Sequence, residues 1–281
     1  VRMVTELQWR DRRAAYEAAV DDLTAAHRKR SQNGEKHPVF DFLFTYYSPR
    51  PSKLRRWHAG SGVVLENADE FLSQAGYVRT DAGVTVERAA LPERQQRAAA
   101  NVHRLLKATA GRAPRFGCSG LHEWAMVYRQ PAERRHAYVP LRLGAAGTDA
   151  VVEQLPMCCS HFDAFRFFTE QARPLNPVQL TRESTVDNEQ PGCLHVTMDL
   201  YKWAYTLTPL VPSELVLDCF RLALDARELD MRASPYDLSA FGYQPVPIET
   251  PAGRRAYAQA QAALAERAVP LREELIRLSS P

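Results

Sequence analysis

Three stretches hold side chains whose types and spacing could do chemistry. Phe116 to Arg129, FGCSGLHEWAMVYR, sets Gly117 and Gly120 ahead of His122, Glu123 and Trp124. The glycines permit a tight backbone approach, and the amides opening the helix that follows could hold an anion. A carboxylate between an imidazole and an indole could act as a general base. The same residues have a plain structural account, in which Glu123 complements the helix dipole and Trp124 and Tyr128, four apart, pack into the core. Thr181 to His195, TRESTVDNEQPGCLH, crowds Arg182, Glu183, Asp187, Asn188 and Glu189 ahead of a helix. That suits a binding loop, with Asp187 or Glu189 as the alternative catalytic acid, or a solvated surface turn. His195 and Asp199 are four apart on one helical face, with Trp203 one turn on. With His122 and His161 they could form a mixed His/carboxylate metal centre.

Aromatics and cations are densest from His37 to His58, HPVFDFLFTYYSPRPSKLRRWH. Tyr46, Tyr47 and Trp57 could stack on bases, while Arg50, Lys53, Arg55 and Arg56 meet phosphates. The bland alternative is a buried aromatic wedge with a solvated basic edge. The prolines of Ser48–Pro51 predict an extended corner between a short apolar element at 38–47 and a basic helical turn from Ser52 to Trp57.

These groups must be positioned by an α+β fold that is mostly helical. The spacing predicts helices over 5–31, 92–109, 121–128, 193–208, 213–232 and from Pro251 onward, with caps at Thr5, Ser213 and Thr250. Thr148 and Ser160 are read as caps of two short helices, the second reaching Pro174 and turning Phe162, Phe165, Phe168 and Phe167 inward. Pro270 should kink or break the last helix. A strand is expected at 61–66, a hairpin across Asp81-Ala82-Gly83 and a further strand at 138–143. Residues 174–192 read as a long polar loop. The small α/β part ends near residue 90, with 91–281 mainly helical and the two continuous as one domain.

The chain has 281 residues, is 45% hydrophobic and 25% charged, and carries a net charge of +3, so a polyanion is permitted but not demanded. No apolar run is long enough to span a membrane, and no secretory leader is read at the N-terminus. Five cysteines without C-x-x-C spacing suggest packed thiols in a reducing cytoplasm. Phosphate-loop, dinucleotide, H-E-x-x-H, nucleophile-elbow and deaminase signatures are missing.

Taken together, the aromatic-basic stretch, RFGCSGLHEWAMVYR, TRESTVDNEQPGCLHVTMDLYKW and ELDMRASPYDLSAFGYQPVPIETPAGRR resemble, over most of the chain, a bacterial family labelled 3-methyladenine DNA glycosylase. The resemblance implies a cofactor-free hydrolase that removes alkylated bases from DNA. A cationic, electron-poor base would favour an aromatic pocket, and its release needs a carboxylate near the sugar. In this reading Glu123 is the acid–base group, Asp187 or Glu189 its substitute, and His122 and Trp124 flank the substrate. Two other readings stand beside it: a metal-dependent enzyme on a small molecule, built on His122, His161, His195 and Asp199, and a non-catalytic nucleic-acid-binding module.

Overall fold

The computed structural model describes residues 2–47, 50–130 and 134–281. Ser48 and Pro49, half of the expected proline corner, lie outside them. Chain order runs β1 (Arg2–Val4), α1 (Glu6–Gln32), α2 (Phe42–Thr45), α3 (Pro51–Leu54), β2 (Val63–Leu65), β3 (Tyr77–Thr80) and β4 (Gly83–Val86). It continues with α4 (Glu93–Ala110), α5 (Leu121–Ala125), α6 (Gly144–Gln154), α7 (Phe162–Phe165), α8 (Thr185–Asn188), α9 (Leu194–Thr206), α10 (Ser213–Arg232) and α11 (Pro251–Ser279). The fold is α+β, with helices dominating and one small sheet in the N-terminal part.

That sheet has the order β1-β2-β4-β3, with β1 parallel to β2 and the other pairs antiparallel. The expected hairpin is β3–β4; β1 was not anticipated, because three residues carry no readable alternation. α1 begins with a reciprocal cap between Thr5 and Gln8. It buries Trp9, Tyr16, Val20 and Thr24 along one stripe. Trp9 donates its indole N–H to the carbonyl of Glu66 (2.8 Å), which ties the helix to the sheet. One hydrophobic core joins both parts of the chain, from Val4 and Trp9 through Trp124 and Tyr201 to Leu278.

α9 and α10 form the centre. Most of α9 from Leu194 to Tyr201 is buried, so its amphipathic pattern is weak and its polar residues His195 and Asp199 are carried inside. α11 starts as expected, with Thr250 Oγ1 accepting from the Gly253 amide (3.0 Å). It runs on through Pro270, because Pro270 and Glu266 lie on the exposed face, where water can meet the carbonyl that proline leaves unpaired.

Several local expectations are corrected. Residues 138–143 form turns with one bridge, Leu141 to Tyr236, rather than a strand. α6 begins at Gly144, so Thr148 lies within it and bonds back to the Gly144 carbonyl. Ser160 caps nothing: α7 is a single turn, and Phe167 is exposed. Ser213 is not a cap but a tie, accepting from the His58 amide (2.8 Å). The loop at 174–192 contains the turn of helix α8.

Candidate metal centre and substrate cavity

Two buried groups of three potential ligands converge where α5, α9 and α10 meet. The first is His122, His195 and Asp230; the second is His161, Glu189 and Asp199. Within each group the donor atoms lie within 4.8 Å of one another. The groups adjoin through His195, whose ring centroid is 4.5 Å from that of His122 and 5.2 Å from that of His161.

Local structure explains each placement. Gly120 takes a left-handed φ of 72° just before α5, where a side chain would press on Ala233 and Tyr257. That turn aims His122 and Glu123 at α10. His195 and Asp199 share one face of α9 at i and i+4. Arg227 and Asp230 share one face of α10 at i and i+3. Glu189 follows α8, held by its neighbour Gln190, whose amide oxygen accepts from the Arg115 backbone and whose amide nitrogen donates back (2.8 and 3.1 Å).

The hydrogen bonds around the ligands fix their orientation. His122 Nε2 lies 2.7 Å from Asp230 Oδ1. Arg227 Nη1 donates to Asp230 Oδ2 and to Glu123 Oε1, both at 2.7 Å. His161 Nε2 is 3.1 Å from Asp199 and 3.4 Å from Glu189. Tyr47 Oη donates to the other oxygen of Asp199 (2.9 Å). Glu189 is buried with its carboxylate against the His161 imidazole, and His161 Nδ1 is buried without a hydrogen-bond partner. A buried polar group without a partner is costly, and a cation held there would offset that cost.

Electrostatics agree with the geometry. Burial raises the Glu189 carboxyl to about 7, against the pull of His161. Burial also acts to raise Asp199, but Lys202, His161 and Tyr47 outweigh it and hold the carboxyl well below its usual range. Asp230 is lowered in the same way, burial being outweighed by His122 and Arg227. Burial, then His122, drives His195 well below an ordinary imidazole, so it is neutral and able to ligate.

A cavity of about 330 Å³ opens onto this cluster, and His195, Glu123 and Asp163 line it. Its other walls include Phe42, Tyr46, Arg135, His136 and Tyr236. The volume is near the lower end of the roughly 300–1,000 Å³ typical of small-molecule sites. On the other side of His122 and His195 lies a second cavity of about 370 Å³, walled by Cys118, Cys158, Cys159 and Cys193. Cys118 Sγ is 3.5 Å from His122 Nδ1. Burial pushes the Cys118 thiol up, and Cys159 to about 12, so they are protonated packing groups.

The structure thus brings His122, His161, His195, Asp199 and Glu189 together and leaves other expected residues elsewhere. Trp57 is 2% exposed and packs against Trp9 and Phe71, with no free face for a base. Trp124 is fully buried, its indole bonded to the Ala233 carbonyl (2.8 Å). Tyr47 is buried and bonded to Asp199; Tyr46 reaches the cavity, stacked on Phe42 at 4.8 Å. Arg55 is paired with Glu17 and Asp21 at 3.0 Å. Lys53 and Arg56 border a different depression, beside Tyr16 and Tyr205, and Arg50 is exposed at the start of α3. Asp187 is exposed on α8. Glu123 lines the cavity but is ion-paired to Arg227, and α5 is too short to offer an anion site at its start. Sequence reasoning missed Asp230 and Arg227. The signal was present: they fall on the same face of α10 as Ala223 and Ala226, where a charge must be paired.

No protein-family model matches the chain, and neither does any curated protein or solved structure.

Proposed function

We propose that the protein is a metal-dependent enzyme acting on a small molecule, with its centre at His122, His195 and Asp230 and at His161, Glu189 and Asp199. The observation that carries this reading is the convergence of two buried three-donor groups, of which His195 lines the cavity. Three imidazoles with three carboxylates suit iron, manganese or zinc. A bound ion would polarise a substrate oxygen or activate a water. Arg227 and Tyr47 would orient Asp230 and Asp199 toward it. The test is metal analysis of protein purified without an affinity tag, followed by incubation with ferrous, manganous or zinc ions. One or two equivalents of one metal are expected, lost on His195→Ala or Asp199→Asn. A folded wild type that neither retains nor takes up any of the three metals would sink the proposal.

The base-releasing hydrolase implied by the resemblance is the second reading. It is favoured by the aromatic wall of Phe42, Tyr46 and Tyr236 beside Glu123, a setting that suits an electron-poor base. Against it, Trp57 is buried and Arg55 is already paired. Release of free 3-methyladenine from alkylated duplex DNA by metal-free protein would favour this reading over the first.

A further inference from the structure

The cavity wall holds two polar groups that the metal reading does not use. His136 is 9% exposed, and its Nε2 has no hydrogen-bond partner. Its imidazole packs edge-on to Tyr236 at 5.4 Å and borders the same cavity. Beside it in sequence, Arg135 makes no ion pair among the described residues; its guanidinium lies over the Phe42 ring at 5.5 Å. Arg227, the other guanidinium on the wall, is already held by Glu123 and Asp230. One uncommitted guanidinium and one uncommitted imidazole, next to aromatic faces, are what an organic oxyanion would need. Guanidinium pairs with carboxylate through two parallel hydrogen bonds, and the rings take up a flat apolar body. Glu123 and Asp163 share the wall. Both are already paired, Glu123 with Arg227 and Asp163 with Arg166 and Lys202. The one guanidinium on the wall left uncommitted among the described residues, Arg135, matches a monoanion, so carboxylate suits the site better than phosphate.

We propose that this cavity binds a small aromatic or similarly flat carboxylic acid, its carboxylate on Arg135 and His136 and its body against Tyr46 and Tyr236, within reach of His195. This deepens the reading of the cavity as the substrate site, but it does not depend on whether a metal binds. The test is calorimetric titration with benzoate, benzamide and phenyl phosphate. Wild type and Arg135→Gln are compared, each before and after treatment with a chelator. Benzoate should bind the wild type at least about tenfold more tightly than benzamide or phenyl phosphate. Arg135→Gln should weaken benzoate by roughly tenfold to a hundredfold, the loss of one charge-assisted hydrogen bond, and leave benzamide unchanged. Arg135 is exposed, so the variant should fold. Chelation should leave the benzoate preference in place; if the protein proves to hold no metal, that preference still stands while the metal reading falls. Equal binding of benzamide, tighter binding of phenyl phosphate, no saturable benzoate binding, or an unaltered Arg135→Gln variant would each overturn the proposal. So would benzoate binding that disappears with the metal, which would put the carboxylate on the ion instead.

Discussion

Arg227 is the residue on which the buried charges depend. It is 1% exposed and shares one amino group between Glu123 and Asp230. Removing one member of a buried ion cluster leaves the others uncompensated, which typically costs about 3–5 kcal/mol. Arg227→Met should therefore lower unfolding stability by that order, and adding Glu123→Gln should recover part of it. Urea titration of the single and double variants checks this; equal stability of Arg227→Met and wild type would mean the cluster is not held as described. Tyr47 makes a gentler test. Its hydroxyl fixes one oxygen of Asp199, so Tyr47→Phe should weaken metal binding by about 10–100-fold with little change in fold. The affinity is read by competition with a chromogenic chelator, and an unchanged affinity would detach Tyr47 from the centre. Tyr47 also shows how far residue types reach. Its aromatic character was readable, but only the structure shows that the phenol faces a carboxylate 152 positions away. Likewise, Glu123 reads as a free base until Arg227, 104 positions later, is seen beside it.

At the level of elements, the centre relies on how α9 is entered. Gly192 lies three residues before His195, and a Cβ there would meet the Arg115 backbone oxygen and nitrogen at 2.7 and 2.8 Å. Backbone cannot give way as a side-chain tip would. Gly192→Ala should cost about 1–3 kcal/mol, the usual range for overpacking, and should also lower metal content, because Glu189 and His195 flank the displaced turn. Denaturation midpoints and metal analysis on the same sample check it; a stable variant with full metal content would show that this turn does not position the ligands. The long helices were legible because they carry caps and apolar periodicity: Thr5 and Thr250 mark real starts. Of the short elements, β2 and the β3–β4 hairpin were legible and others were not. The stretch 138–143 has alternating character, yet it lies outside the sheet and finds only one bridge to Tyr236, so nothing there completes a ladder. β1 has no pattern of its own and exists because Val63–Leu65 offers it an edge. The candidate ligands His122, His161, His195 and Asp199 were visible as types; Asp230 was marked by its place on the buried face of α10, but its pairing with His122, 108 positions away, was not legible.

Over the whole molecule, His58 marks the seam between the sheet-bearing part and the helices. It is 7% exposed, its Nδ1 lies 3.0 Å from the Tyr77 hydroxyl on β3, and its backbone is bonded in both directions to Ser213 at the start of α10. Burial, with a smaller push from Arg56, lowers its imidazole to about 4. An unfolded histidine titrates near 6.5, so between about 6.5 and 4 the unfolded chain binds a proton that the folded chain refuses. Stability from this group is therefore fully present above 6.5, falls as the pH drops through that window, and is gone below about 4. Other groups titrate in the same range: burial lowers His136 to about 3, with the same sign, and raises Glu189 to about 7, with the opposite sign. A comparison with His58→Gln removes those shared contributions. The variant should be less stable than wild type at pH 7.5, since it loses the packing of the ring against Tyr77. Its further loss on going to pH 4.5 should be smaller than that of wild type by roughly 1–3 kcal/mol. Urea midpoints at half-unit steps of pH give both curves. If they run parallel, His58 is not the proton acceptor at the seam, and the acid sensitivity of the molecule belongs to other groups.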